Sequence, residues 1–402
     1  MEREELFRKV SIENDKKIVL LVLDGLGGLP LKGKTELETA RTPNLDLLAA
    51  ESELGLSHPI APGITPGSGP AHLSLFGYDP LKYEIGRGIL EALGVGITVG
   101  KRDVAVRGNF ATLENGLISD RRAGRIATEK NREIIAYLNK KIKKIEDVEI
   151  SLTSGEEHRF VLLLTGDGLS DQLTDADPEV TGRPVMYAQA KNESAAKTTR
   201  IINLFIDRLT AELADFHPAN TCLLRGYALY PAIPHLKELF KLKTAAIAVY
   251  PMYKGLAQLV GMEILATGRT IEDQINTLKK HYTDYDFFFV HIKKTDSYGE
   301  DGNFAGKVSV IEEFDRFLPA VLEMLPDVLV ITGDHSTPAL LKGHSWHPNP
   351  VLFKAALQRQ SVEPAAKFSE KECAKGILGN FNAMEVLPMM MANALKFKKY
   401  GA

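Results

Sequence analysis

DVLVITGDHSTPALLKGHSW, residues 327–346, is the stretch on which the fold of this chain turns. Val328 to Ile331 is a short apolar run rich in β-branched residues, without the alternation of a half-exposed strand. It predicts a strand buried on both faces, as in a parallel sheet. Thr332 and Gly333 end the run, Asp334 and His335 follow at once, and His344 and His347 come soon after. Open α/β sheets hold their ligands beyond the carboxyl ends of the strands. An adjacent Asp and His delivered there read as a metal site, against the plainer alternative of ordinary loop chemistry at a strand end.

Two other runs repeat the pattern. Residues 18–23 (IVLLVL) end in Asp24 and Gly25, and residues 287–292 (FFFVHI) lead to Lys293, Lys294, Thr295 and Asp296. The sequence DGLGG at 24–28 is not a dinucleotide fingerprint, because the acid precedes the glycines. Acids avoid burial unless something compensates their charge, and a metal does so for all three at once. With His335 and His344 the donors are oxygen and imidazole without thiolate, which suits Mn²⁺, Mg²⁺ or Zn²⁺. Such a set can hold two ions on either side of a transferring phosphoryl group. The alternative is that Asp24 and Asp296 are each helix caps after a strand. Glu300 lies four residues past Asp296.

Residues 59–80, PIAPGITPGSGPAHLSLFGYDP, begin as loop and enter a short helix near Ser68. Ser68 reads either as the N-cap of that helix or as a nucleophile at its positive end, where a phosphate is favoured. His72 and His158 each read as packed or functional. Arginines at 102, 107, 121, 122 and 125 read as a solvated face or as anion recognition. Between about residues 100 and 230 strands and positive charge replace the βα rhythm. This predicts a core of residues 1–99 and 231–402 interrupted by an inserted domain over 100–230. A long amphipathic helix is expected at 199–216, and the βα pattern resumes at residues 244–250 (TAAIAVY).

The 402 residues are 44% apolar with a formal charge of −3, enough for a large core and without reason to expect nucleic acid. Cys222 and Cys373 fit a reducing compartment, a single bridge staying open. The charged N-terminus is unlike a signal peptide, and no apolar run approaches a membrane span. A cytoplasmic protein without membrane partners is expected.

The stretches LLVLDGLGG, ETARTPNLDLLA, APGITPGSGPAHLSLFGYDP, GRGILEALGVG, VHIKKTD and TGDHSTP resemble the cofactor-independent phosphoglycerate mutases of the archaeal type. That family is a branch of the alkaline phosphatase superfamily. DRRAGRI, LTDADP, RGYALYP and VYPMYKGLA extend the likeness over nearly the whole chain. The resemblance implies an alkaline-phosphatase-like α/β core sheet flanked by helices, with a smaller inserted α+β domain that clamps substrate. It implies an isomerase of glycolysis and gluconeogenesis. That enzyme would interconvert 3-phosphoglycerate and 2-phosphoglycerate through a phosphoserine, independently of 2,3-bisphosphoglycerate.

Residue by residue, Ser68 matches the serine that is transiently phosphorylated. Asp24, Ser68, Asp334 and His335 match the ligands of one divalent ion, and Asp296 and His344 match two ligands of the other. The ions implied are Mn²⁺ or Mg²⁺, with Co²⁺ or Zn²⁺ as alternatives. The family's remaining ligand is a histidine in GHDG, where this chain has Gly299-Glu300-Asp301-Gly302. Glu300 in that place adds negative charge and could favour a harder ion. After His344, Ser345-Trp346-His347-Pro348-Asn349-Pro350 replaces an SxDPVP-like run and is expected to put His347 near the site. Lys254 matches a lysine near the leaving oxygen or phosphate. Arg121, Arg122 and Arg225 are expected to hold a small phosphorylated carboxylate, with His72 and His158 as acid–base candidates. An oligomer stays open. So do a metal-dependent phosphatase or other phosphomutase on the same fold, and a non-catalytic paralogue that binds phosphorylated metabolites.

Overall fold

The three apolar runs that end in acids become adjacent strands of one sheet in the computed structural model, which describes residues 1–359 and 363–401. Ile18–Leu23 lies at the centre, with Phe287–Ile292 on one side and Val328–Thr332 on the other, both parallel to it. All the side chains of these strands are buried, as continuous rather than alternating apolar runs require. Across the sheet the order is Glu263–Ile264, Thr244–Ala248, Phe287–Ile292, Ile18–Leu23, Val328–Thr332, Asn349–Ala355, Glu53–His58 and Gly379–Asn382. Only Asn349–Ala355 runs against the rest.

Helices complete the layers. Phe304–Leu322 turns Val310, Ile311, Phe314, Leu318 and Val321, spaced at three and four, onto the face bearing Val19, Leu21 and Leu23. Ile271–His281 joins them, its first turn closed by a capping box between Thr270 and Asp273. Truncating a core residue such as Phe314 to Ala would cost about 3–5 kcal/mol.

The chain divides into two units, Met1–Glu84 with Ile233–Ala402, and Ile85–Ala232. The second has a six-stranded antiparallel sheet built on Asp103–Glu114. Thr128–Lys141 and Ala196–Glu212 bury Ile134, Leu138, Ile202, Phe205 and Leu209 in its core. The sequence placed the start of this unit at residue 100. Ile85 is its first residue because helix Arg87–Gly94 packs on the insert's own strands. At Gly88 a Cβ would lie 2.1 Å from the Ala105 carbonyl oxygen, so only glycine allows that approach. The insert ends at Ala232 rather than 230.

Cys222 and Cys373 are both buried and free. No described helix is long and apolar enough to cross a membrane.

Candidate metal centre

Parallel register brings the acids together. Leu23 pairs with Ile292 and Val22 with Thr332, so the three strands stop at nearly one level. Asp24 follows the first strand directly, and its backbone N–H donates to Ile292 O at 2.9 Å. Asp334 follows the third strand after Gly333. Asp296 stands in the first turn of helix Lys294–Glu300, which leaves the second. Neither Asp24 nor Asp296 is a cap. Asp296 instead takes Lys293 Nζ at 2.5 Å on one oxygen and Thr337 Oγ1 at 2.6 Å on the other.

Two groups of ligand atoms result, each within 4.8 Å: Asp24, Asp334 and His335, and Asp296, His335 and His344. His335 is shared. Asp24, Asp296, Asp334 and His335 are fully buried, and His344 is half-buried. Both carboxylate oxygens of Asp24 and Oδ2 of Asp334 are buried without a well-formed hydrogen bond, with only the close approach of His291 and Lys293 to Asp24, at 3.2 and 3.1 Å, and of His335 to Asp334, at 3.1 Å. Buried carboxylate oxygens left in this state are costly, and a divalent cation is the partner that satisfies them. The donors, carboxylate and imidazole without sulfur, fit a hard or borderline ion.

The charges act on one another. Burial opposes ionisation of Asp24, yet His291, Lys293 and His335 around it outweigh burial and hold its carboxyl well below the usual range. Asp334 is pushed up by burial and by the Asp24 charge. Burial holds His335 well below the ordinary imidazole range, so the ring is neutral. Lys293 works against its own burial, its ammonium lying 3.1 Å from Asp24 and 2.5 Å from Asp296, and its affinity for the proton rises.

Ser68 opens the helix Ser68–Leu75 at its first helical position; Gly67 is the N-cap. The hydroxyl is therefore free of capping, and it lies 3.3 Å from His335 Nε2. His344 is tied to the preceding loop by Nδ1, which donates to Pro66 O at 2.9 Å, and its Nε2 lies 3.6 Å from Asp296 and 3.7 Å from Glu300. Glu300 is exposed, and burial with the nearby Asp296 charge moves its carboxyl upward.

Of the other expected residues, only His72 touches a ligand group, its Nδ1 lying 3.3 Å from Asp334 Oδ2. His72 is fully buried; its Nδ1 donates to Ser68 O at 2.9 Å, and burial lowers its pKa to about 3. It supports the serine from beneath as a neutral ring, a poor proton carrier at neutral pH. Lys254 is half-buried on helix Pro251–Leu259 and makes no side-chain hydrogen bond or ion pair among the described residues. The lysine that reaches the carboxylates is Lys293, three residues before Asp296, a spacing visible in VHIKKTD. His347 belongs to neither ligand group; it bonds Ser345 Oγ and stacks on Trp346.

In the inserted unit, Arg121 is held by Asp177 through Nε and Nη2, in bonds of 3.1, 2.8 and 2.8 Å that form a bidentate fork. Arg122 is exposed. Arg225 pairs across the sheet with Arg107, and Arg159 and Arg87 add their charges to Arg107. The Nε atoms of Arg107, Arg159 and Arg225 are buried without partners. His158 is buried, with its pKa lowered to about 4 by burial and by Arg159.

Comparison with known proteins gives this geometry a family. Over its full length the chain is 55% identical to a probable 2,3-bisphosphoglycerate-independent phosphoglycerate mutase of Thermotoga neapolitana, which it also covers completely. The chain belongs to the 2,3-bisphosphoglycerate-independent phosphoglycerate mutase family. The family's model matches residues 49–220. A probable 2,3-bisphosphoglycerate-independent phosphoglycerate mutase of Thermus thermophilus is 51% identical over 99% of both chains. Among solved structures, the cofactor-independent phosphoglycerate mutase of Thermoplasma acidophilum superposes with a TM-score of 0.78 at 31% identity, covering 94% of this chain and all of that one. A protein from Pyrococcus horikoshii gives 0.80 at 32%, covering 96% and 100%. The α/β core with an inserted α+β unit is thus a fold shared with a cofactor-independent phosphoglycerate mutase.

Proposed function

We propose that this chain interconverts 3-phosphoglycerate and 2-phosphoglycerate through a phosphoserine at Ser68, without 2,3-bisphosphoglycerate. The observation that carries the reading is Ser68 Oγ at 3.3 Å from His335 Nε2, beside Asp24 and Asp334. Asp24, Asp334, His335 and Ser68 would hold one divalent ion, and Asp296, His344 and Glu300 the other. Mn²⁺ or Mg²⁺ suits these donors, with Co²⁺ or Zn²⁺ as alternatives. Bound divalent ions supply an acidified serine hydroxyl and positive charge opposite the phosphate oxygens.

The chain's residues do the rest. Ser68 gives up its hydroxyl proton and bonds to phosphorus as the bond to the C3 oxygen of substrate breaks, and that oxygen takes up a proton to become a hydroxyl. The C2 hydroxyl of the same glycerate then loses its proton as it takes the phosphoryl group, and the departing Ser68 oxygen regains one. Lys293 keeps Asp24 and Asp296 in place, and the neutral His72 fixes the carbonyl of Ser68. Recognition of an anion is assigned to Arg225 with Arg107 and Arg159, whose Nε groups are buried without partners while Arg107 pairs with Glu91 and Arg225 with Asp177 through Nη1. Arg121 contributes by holding Asp177, and Arg122 offers a free guanidinium. Lys254 remains the proposed partner of the leaving oxygen. The two buried free thiols support a cytoplasmic location.

The test is conversion of 3-phosphoglycerate with each of the four ions in turn, without added 2,3-bisphosphoglycerate, following free phosphate in parallel. 2-Phosphoglycerate with little free phosphate is expected. Steady phosphate release without isomerisation would make the chain a phosphatase.

A further inference from the structure

Thr337 lies between the two ligand groups and belongs to neither. Its Oγ1 is 2.6 Å from Asp296 Oδ1 and 2.9 Å from His335 Nδ1, whereas His335 Nδ1 and Asp296 Oδ1 are themselves 4.0 Å apart. The hydroxyl is fully buried and its place is prepared from several sides. Gly25, at φ +63°, leaves the room: a Cβ there would lie 2.5 Å from Thr337 Oγ1 and 2.8 Å from Asp296 Oδ1. The buried Lys307 spends its three hydrogens on the carbonyls of Gly25, Gly27 and Thr337, at 2.8, 3.0 and 2.9 Å. That ammonium ties the turn after the first strand to the loop after the third.

A threonine hydroxyl has one hydrogen to give. A carboxylate oxygen has none, and the short contact to Asp296 is the charge-assisted kind, so the hydroxyl hydrogen goes to Asp296. The lone pair of Oγ1 must then meet an N–H, which places the hydrogen of His335 on Nδ1. A neutral imidazole carries one N–H. Nε2 is left bare, and it is the nitrogen 3.1 Å from Asp334 Oδ2, 3.5 Å from Asp24 Oδ1 and 3.3 Å from Ser68 Oγ.

We propose that Thr337 is a positioning residue whose hydroxyl links Asp296 to the shared His335 and so fixes the tautomer that can ligate an ion through Nε2 beside Asp24 and Asp334. The inference rests on the reading of these groups as metal sites. It adds a wire between them: an ion that reorients Asp296 acts through one hydroxyl on the imidazole of its neighbour. Outer partners of this kind orient ligating histidines and raise their basicity.

The test uses full-length protein with ¹⁵N-labelled histidine, metal-free, in a long-range proton–nitrogen correlation spectrum, alongside calorimetric titration with Mn²⁺. The parent should show His335 with its hydrogen on Nδ1. Thr337→Val, which keeps the shape without the hydroxyl, should move that hydrogen to Nε2 and weaken Mn²⁺ binding about 10–100-fold. Thr337→Ser should restore both. A parent spectrum with the hydrogen on Nε2 overturns the proposal, as does Thr337→Val with an unchanged tautomer or an unchanged affinity. If Thr337→Val does not fold, the parent and Thr337→Ser spectra decide between the same two tautomers. A parent that binds no divalent ion would sink the metal reading, while the tautomer still decides the role of Thr337.

Discussion

Ser68 Oγ and His335 Nε2 lie 3.3 Å apart, although 267 residues separate them in the chain. The serine comes from a helix N-terminus after a Pro- and Gly-rich loop, the histidine from the end of a central strand. Replacing Ser68 by Ala leaves that helix intact, since Gly67 is the cap. Mutase activity should fall by a factor on the order of 10³ or more, because the nucleophile is gone. Intact mass spectrometry after brief exposure to substrate should show a phosphorylated parent and an unmodified variant. Full activity in Ser68→Ala would remove the proposed nucleophile.

Lys293 sits between Asp24 and Asp296, where it shares their charge. Lys293→Met should therefore destabilise the protein in chelator by about 3 kcal/mol, the cost of breaking a largely buried pair. Saturating Mn²⁺ should shrink that loss, because the ion's charge replaces the missing ammonium at the two carboxylates and the variant gains more from binding than the parent does. Urea denaturation with and without the ion measures both. Equal losses in the two conditions would show that Lys293 and the ion do not act on the same carboxylates.

Glu300 stands 3.7 Å from His344, a member of the second ligand group. Glu300→His exchanges an oxygen donor for imidazole and removes a negative charge, so preference should move from Mg²⁺ toward Zn²⁺ and Co²⁺. Competitive titration is the check, with a shift of about tenfold in relative affinity expected. No change in the order of affinities would place Glu300 outside the metal's reach.

His158 gives a pH signature away from the metal centre. Its pKa falls from 6.5 in the unfolded chain to about 4 in the folded protein. The unfolded state thus binds the extra proton first, and stability rises with pH across that window. The contribution is complete above pH 6.5 and is lost as pH falls toward 4, at up to about 1.4 kcal/mol per pH unit. His158→Gln should flatten the stability profile between pH 6.5 and 4 and leave it unchanged above 7. An identical profile in parent and variant would mean that the ring is not buried neutral.

Much of the site was legible in one dimension. Short continuous apolar runs rich in β-branched residues read as buried strands, and an acid within a few residues of the end of such a run lies near the strand's carboxyl end. That reasoning found Asp24, Asp296, Asp334 and His335 without knowing which strands are neighbours. It also saw Ser68 at the start of its helix, where Gly67 and not Ser68 is the cap. The inserted unit's first helix was assigned to the wrong side because its Gly-rich sequence carries no record of what it packs on; the contact of Gly88 with Ala105 exists only after folding.

The sequence by itself determined the strands, the acids at their ends and the donor chemistry, because local apolar patterning and residue type need no partner to be read. Only the tertiary structure decided who meets whom. It brought Lys293 to the carboxylates of Asp24 and Asp296, tied Arg121 to Asp177, buried His72 as a neutral support and set Thr337 between the two groups. Those outcomes depend on distances of a few ångströms between side chains far apart in the chain. Hydrogen bonds and charge pairs fall off over that same scale, so only packing settles them.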